Sequence, residues 1–193
     1  MKPVKLLKRL NNLKRMPRTG WLFCGVPLNG VEDVAQHSFE VAAITMLLAD
    51  EINSGGKKVD GARAIRMAIF HDWAEAEVTD FPYTALKYLK NPGEKKDTER
   101  RALEDMLRDS ADKTNYLALW DEYTEKLTIE SKLVHAADYL SMLVQAVKYR
   151  ESGIRSTELD ELWRAVKRDL SPYVKAFKLV GQIVKELESH FRA

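Results

Sequence analysis

Only one cysteine, nine glycines and six prolines are spread over 193 residues. A lone thiol, Cys24, has no partner for an internal disulfide, so disulfide-stapled secreted scaffolds are excluded and a reduced, cytoplasmic protein is expected. The glycines and prolines fall mainly between periodic segments, which excludes collagen-like and low-complexity chains. An excess of one charge is missing too. Thirty-one basic residues face 29 acidic ones, a formal charge of +2, too balanced for a protein that coats a nucleic-acid polymer. Long hydrophobic runs are also lacking. The longest, Val41–Ala49, includes Thr45 and falls far short of the roughly 20 residues that span a bilayer. The charged start Met1–Lys8 is not expected to serve as a secretory h-region, and no membrane is expected as a partner.

What is present is helical periodicity. Hydrophobic residues make up 45% and charged residues 31% of the chain, a balance and length suited to one domain. Leu6, Leu7, Leu10 and Leu13 mark an amphipathic helix over 4–15 that ends before Pro17, and Pro17–Gly30 reads as a loop. From Asp33, the positions Val34, Val41, Ile44 and Leu48 predict a helix up to Asn53. Asp60 is a candidate N-cap for a further helix to about Glu77, its stripe formed by Ile65, Ala68, Ile69 and Asp72. After a break at Pro82 and a loop at Asn91-Pro92-Gly93, residues 94–110 read as a largely solvated helix. The clearest stripe, Ile129, Leu133, Ala136, Leu140, Leu143 and Val147, predicts a central buried helix. Two more helices, about 156–170 and 172–191, are expected to divide at Ser171-Pro172. No segment alternates with period two, so the fold class is all-α, a single-domain helical bundle.

Chemistry concentrates at His71-Asp72, on an otherwise apolar stripe. A carboxylate there needs a hydrogen-bonded partner, a cation or a metal, and the dipeptide alone leaves those readings open. His37 and Asp138 are likewise embedded among apolar neighbours. Two imidazoles and two carboxylates form a set suited to manganese, cobalt, iron, nickel or zinc. Neighbouring residues on a regular helix point about 100° apart, so His71 and Asp72 share one ion only if the helix distorts or the ion lies between them.

The order His37, His71-Asp72, Asp138 resembles the HD-domain superfamily of metal-dependent phosphohydrolases. Pro17-Arg18-Thr19-Gly20-Trp21, Val31–Ser38, His71-Asp72-Trp73-Ala74-Glu75 with Thr79-Asp80-Phe81-Pro82, and Ala136–Leu140 are similar to its 5′-deoxynucleotidase branch. The likeness covers about residues 5–150; helices over about 156–191 rest on periodicity alone. It implies an HD-type bundle acting on a small-molecule nucleotide, with one divalent ion (Mn, Co, Fe, Ni, Zn or Mg) held by His37, His71, Asp72 and Asp138 and activating water. It further implies Glu75 and Asp72 as catalytic residues, Arg18 as a phosphate clamp, Trp21 against sugar or base, and Asp80 at the deoxyribose 3′-hydroxyl, leaving no room for a 2′-hydroxyl. By themselves these residues also read as surface charge (Glu75, Arg18), a core anchor (Trp21) and a helix N-cap (Asp80). Gln36 and Trp73 depart from the family pattern; Gln36 is expected to orient His37 and Trp73 to reshape the pocket. His135 reads either as an additional ligand or phosphate contact or as a supporting residue, and His190 as facing solvent or a helix end. The resemblance and the apolar residues of 156–187 imply a homodimer.

Three other readings stay open: a deoxynucleoside triphosphohydrolase or different phosphomonoesterase on the same scaffold, a helical binding module with a structural metal, and an RNA-binding surface of Lys2, Lys5, Lys8, Arg9, Lys14 and Arg15. Those basic residues lie opposite a leucine stripe, the pattern of a solvated helix face.

Overall fold

The computed structural model describes residues 3–91 and 93–193; Met1, Lys2 and Pro92 lie outside those ranges. The expected first helix is cut short. Helix α1 (Pro3–Leu10) passes into a 3₁₀ turn at Asn11–Arg15, because asparagines offer the backbone competing hydrogen bonds in a helix interior. Inside the expected loop a short helix, α2 (Thr19–Phe23), forms. The segment around it is closed by an antiparallel bridge between Pro17 and Asp33, where Arg18 N–H donates to Glu32 O at 3.0 Å and Val34 N–H to Met16 O at 2.9 Å.

Asp33 and Gln36 then form a capping box that opens α3 (Val34–Ser54). Its buried face runs Val34, His37, Val41, Thr45, Leu48, so His37 falls on the core side one turn into the helix. Asp60 accepts from Arg63 N–H and caps α4 (Gly61–Phe70). The buried stripe of α4 is Ala64, Met67, Ala68 and then His71, rather than the expected Ile65 and Ile69; Ile69 is 47% exposed. Nor does α4 reach Glu77. Residues 71–74 form a turn before α5 (Glu75–Val78) resumes.

Beyond α6 (Tyr83–Leu86), helix α7 (Glu94–Met106) ends sooner than expected and buries Leu103 and Met106. Helix α8 (Lys113–Glu125) has no counterpart in the sequence reading. Thr128 caps α9 (Ile129–Glu151) by accepting from Ser131 N–H at 3.1 Å. As expected, α9 is central: α3, α4, α8, α10 (Thr157–Ala176) and α11 (Lys178–Arg192) pack against it. Pro172 does not divide α10 from α11. Its missing N–H and ring clash cost about 3 kcal/mol, yet the stripe Leu159, Trp163, Val166, Leu170 and Tyr173 is buried continuously across it. The chain breaks at Phe177, whose φ of −130° and ψ of 100° are extended. The apolar residues thought to imply a second copy are in part used by this internal packing. No strand forms among the described residues, and none of their helices is long and apolar enough to cross a membrane.

Candidate metal centre

Three helices converge on one point. His37 comes from the first turn of α3, His71 and Asp72 from the turn after α4, and Asp138 from the middle of α9. The interruption after Phe70 lets adjacent residues face each other: His71 Nε2 lies 3.1 Å from Asp72 Oδ2. His37 Nε2 is 3.7 Å from that oxygen and 3.2 Å from Asp138 Oδ1. His71 Nδ1 lies 2.6 Å from Ala68 O; a carbonyl can only accept, so Nδ1 carries a hydrogen and Nε2 is the nitrogen available to a cation.

Several of these atoms have no hydrogen-bond partner although they are buried: His37 Nε2, His71 Nε2 and Asp72 Oδ2. An unsatisfied buried polar atom costs roughly 1–3 kcal/mol. One cation would satisfy all three. His37, His71 and Asp72 offer one ligand atom each within 4.8 Å of one another, a nitrogen and oxygen set that fits a divalent ion. Burial would push the Asp138 carboxyl up, but the imidazole of His37 beside it, with His71 nearby, outweighs that and holds Asp138 well below the usual carboxylate range. Asp72 is likewise held down, with His71 and Arg18 outweighing burial.

Beside this cluster, Glu75 Oε2 is buried and unpartnered. Burial, reinforced by the charge of Asp72, lifts its pKa well above that of an ordinary glutamate despite Arg18 nearby. Arg18 Nη1 lies 3.1 Å from Asp80 Oδ1, 3.7 Å from Asp72 Oδ2 and 3.9 Å from Glu75 Oε2. Asp80 also accepts from Thr19 N–H at 2.7 Å and Thr19 Oγ1–H at 2.9 Å, so it caps α2 from a distant segment. The chain delivers it there through Thr79, held at φ 65° and ψ 167°, a region that β-branched residues occupy only under strain of about 1–3 kcal/mol.

A cavity of about 250 Å³ opens over the cluster, lined by Arg18, Trp21, His71, Asp72, Glu75, Asp80, Lys95, Glu99, Tyr123 and Asp138 among others. His37 is completely buried behind it. Five lining carboxylates face two lining cations, Arg18 and Lys95, an excess of negative charge that a divalent ion would offset before a phosphate could enter.

The family model of the HD domain matches residues 10–177. The chain belongs to the HD domain family. A 5′-deoxynucleotidase of Xenopus laevis is 31% identical over 188 residues, covering 96% of this chain and 88% of the relative. A conserved hypothetical protein from Pyrococcus furiosus shares 36% identity at a TM-score of 0.76, over 94% of this chain and 99% of that one. An HD-domain phosphohydrolase from Listeria innocua, 17% identical, superposes with a TM-score of 0.79 over 97% of this chain and 88% of that one, a likeness of fold.

In this HD domain the sequence-derived candidates are brought together, while two side expectations fail. Gln36 is engaged with Asp33 in the capping box and does not orient His37. Trp73 packs on Phe70 and Tyr116 (centroids 4.9 and 5.9 Å) and is not among the cavity-lining residues. His135 takes the supporting one of its two readings: its Nε2 donates to Tyr123 O at 2.9 Å and its ring stacks on Tyr123 at 4.1 Å. Trp21 is chiefly a core anchor. It is 2% exposed, donates from Nε1 to Glu32 Oε1 at 2.6 Å and meets Tyr149 edge-on at 5.2 Å, while one part of it touches the cavity. The sequence reading missed Lys95 and Glu99, four residues apart on α7 and paired at 3.2 Å. That spacing was visible, but nothing in it says that the face turns inward. Ser141 and Glu40, behind His37, were missed as well.

Proposed function

We propose that this HD-domain phosphohydrolase releases phosphate from the 5′ position of deoxyribonucleoside monophosphates with the help of one divalent ion. The observation that carries this reading is the convergence of unpartnered His37 Nε2, His71 Nε2 and Asp72 Oδ2 beside Glu75 and Arg18 at one cavity. The naming of relatives such as the Xenopus laevis protein, matched over nearly the whole chain, supports the substrate class. His37, His71, Asp72 and Asp138 would hold the ion. When bound, such an ion polarises the phosphoryl group and makes water acidic enough to attack near neutral pH.

The protein's own groups supply the rest. Arg18 is kept positive by Asp80, Glu75 and Asp72 in spite of burial, and its fork offers donors to phosphoryl oxygens as their charge grows. Glu75, its pKa lifted by burial, sets Oε2 close to Asp72 and Arg18, where it takes a proton from the attacking water and returns one to the leaving 5′-oxygen. Lys95 is a second cation for the phosphate, free to leave Glu99 because its stem is long and its three donors rotate. Asp80 accepts from the 3′-hydroxyl and crowds a 2′-hydroxyl; Trp21 and Phe81 wall the sugar and base. Pairing of two copies belongs to this reading too, through the exposed Phe39, Met46 and Leu47 of α3, and light scattering tests it. A cytoplasmic location is also part of it, in keeping with the free, buried thiol of Cys24.

The test is phosphate release from deoxy- and ribonucleoside monophosphates, on metal-stripped protein resupplied with manganese, cobalt, magnesium or zinc. Metal-dependent release favouring deoxy substrates is expected, with His71→Ala and Asp138→Ala inactive. Full activity in either folded variant, or silence with every metal, would overturn the reading; tripolyphosphate from triphosphates would redirect it.

A further inference from the structure

The two histidines of the centre are held from behind in different ways. His71 Nδ1 has a backbone carbonyl of its own helix. His37 Nδ1 instead meets the Ser141 hydroxyl at 3.2 Å, and that same hydroxyl donates to Glu40 Oε2 at 2.6 Å. A serine hydroxyl has one hydrogen to give. Here it goes to the carboxylate, so toward the ring Ser141 acts as acceptor and Nδ1 carries the N–H. His37 Nε2 is then the nitrogen left for a cation, 3.7 Å from Asp72 Oδ2 and 3.2 Å from Asp138 Oδ1 in a position with no solvent exposure.

We propose that Glu40 and Ser141 form a positioning relay that locks His37 in its Nδ1–H tautomer and strengthens Nε2 as a donor to a divalent cation. The inference rests on the metal reading above. Its geometry is a two-by-two arrangement: His37 and Glu40 stand three residues apart on α3, Asp138 and Ser141 three apart on α9. Each helix thus presents a candidate ligand and, one turn further on, a relay member on the same face. The Glu40 charge reaches the ring through the hydroxyl, the arrangement by which carboxylates behind ligating imidazoles raise their basicity. Ser141 is completely buried, so bulk solvent does not compete for its hydroxyl.

Cobalt(II) affinity, measured by competition with a chromophoric chelator on the full chain, tests the relay together with the His37 tautomer read by ¹⁵N NMR in metal-free protein. Ser141→Ala is expected to weaken cobalt binding roughly 10- to 100-fold and to mix the two tautomers. Ser141→Thr keeps the hydroxyl and should restore both readouts; Glu40→Gln should fall between. A Ser141→Ala protein with wild-type affinity and a single Nδ1–H tautomer would overturn the relay. Should that variant fail to fold by circular dichroism, Glu40→Gln decides, and unchanged affinity and tautomer there overturn it equally. If the wild type itself bound no cobalt, the metal reading would fall, and the tautomer measurement would still judge the relay by itself.

Discussion

Acid should weaken this protein through one identifiable side chain. His135 is 6% exposed, and burial, with Lys126 adding to it, pulls its pKa down to about 4 from an ordinary 6.5. The unfolded chain therefore takes up a proton on this residue well before the folded chain does. Between those two values the unfolded state binds more protons, so stability is present above the ordinary value and is lost as pH falls. The linkage gives a loss of about 2 kcal/mol at pH 5 and about 3 kcal/mol once pH has dropped through the folded value. Urea unfolding of metal-free protein from pH 7 to pH 5 measures it, with His135→Gln as the comparison. A glutamine amide keeps a donor for Tyr123 O and does not titrate. The wild-type curve should fall more steeply than the variant's by about 2 kcal/mol over that interval. Parallel curves would refute the reasoning.

Metal removal should be visible as a melting shift: an ion at 100 times its Kd adds about 2.7 kcal/mol, or roughly 5–10 °C for a chain of this size, so chelator should lower Tm by that amount and resupply restore it. Lys95→Met is expected to raise KM for a monophosphate substrate about tenfold (~1.4 kcal/mol of phosphate attraction) with a smaller change in kcat; an unchanged KM would remove Lys95 from the phosphate site. Thr79→Gly relieves a positive-φ strain worth about 1–3 kcal/mol at the cost of up to ~1 kcal/mol in chain entropy, so thermal denaturation should show equal or higher stability, and a marked loss would contradict the strain.

The parts of the fold that the sequence made legible are those where one regular stripe decides burial. Helix α9 and the core face of α3, His37 included, follow from three- and four-residue spacing because nothing else competes along them. In α4 the competing isoleucines Ile65 and Ile69 hid Ala64 and Met67, which share the buried stripe with the expected Ala68. Helix α8 was missed because charged residues interleave its apolar ones and no side chain caps its start. Proline at 172 misled for the opposite reason: a strong local preference yielded to tertiary burial on both sides. At the centre, the candidate ligands were readable from their motif order, but Ser141, Glu40 and Lys95 acquire meaning only where separate helices meet.

The segment 17–33, a strap closed by the Pro17–Asp33 bridge and bearing Arg18, is fastened to the same helix that carries Asp138. Trp21 and Glu32 grip Tyr149 on α9, with Glu32 N–H donating to the Tyr149 hydroxyl at 2.9 Å. Helix α9 therefore acts as a ruler. Its rise between Asp138 and Tyr149, about 16 Å at 1.5 Å per residue, sets how far the Tyr149 anchor of the Arg18 segment stands from the candidate ligand Asp138. The exposed tip around Leu28 and Asn29 can lengthen or shorten without disturbing that separation. A single residue added to α9 between 138 and 149 would swing the anchor by about 100° around the helix axis, dismantling the grip while leaving every candidate metal ligand in the chain.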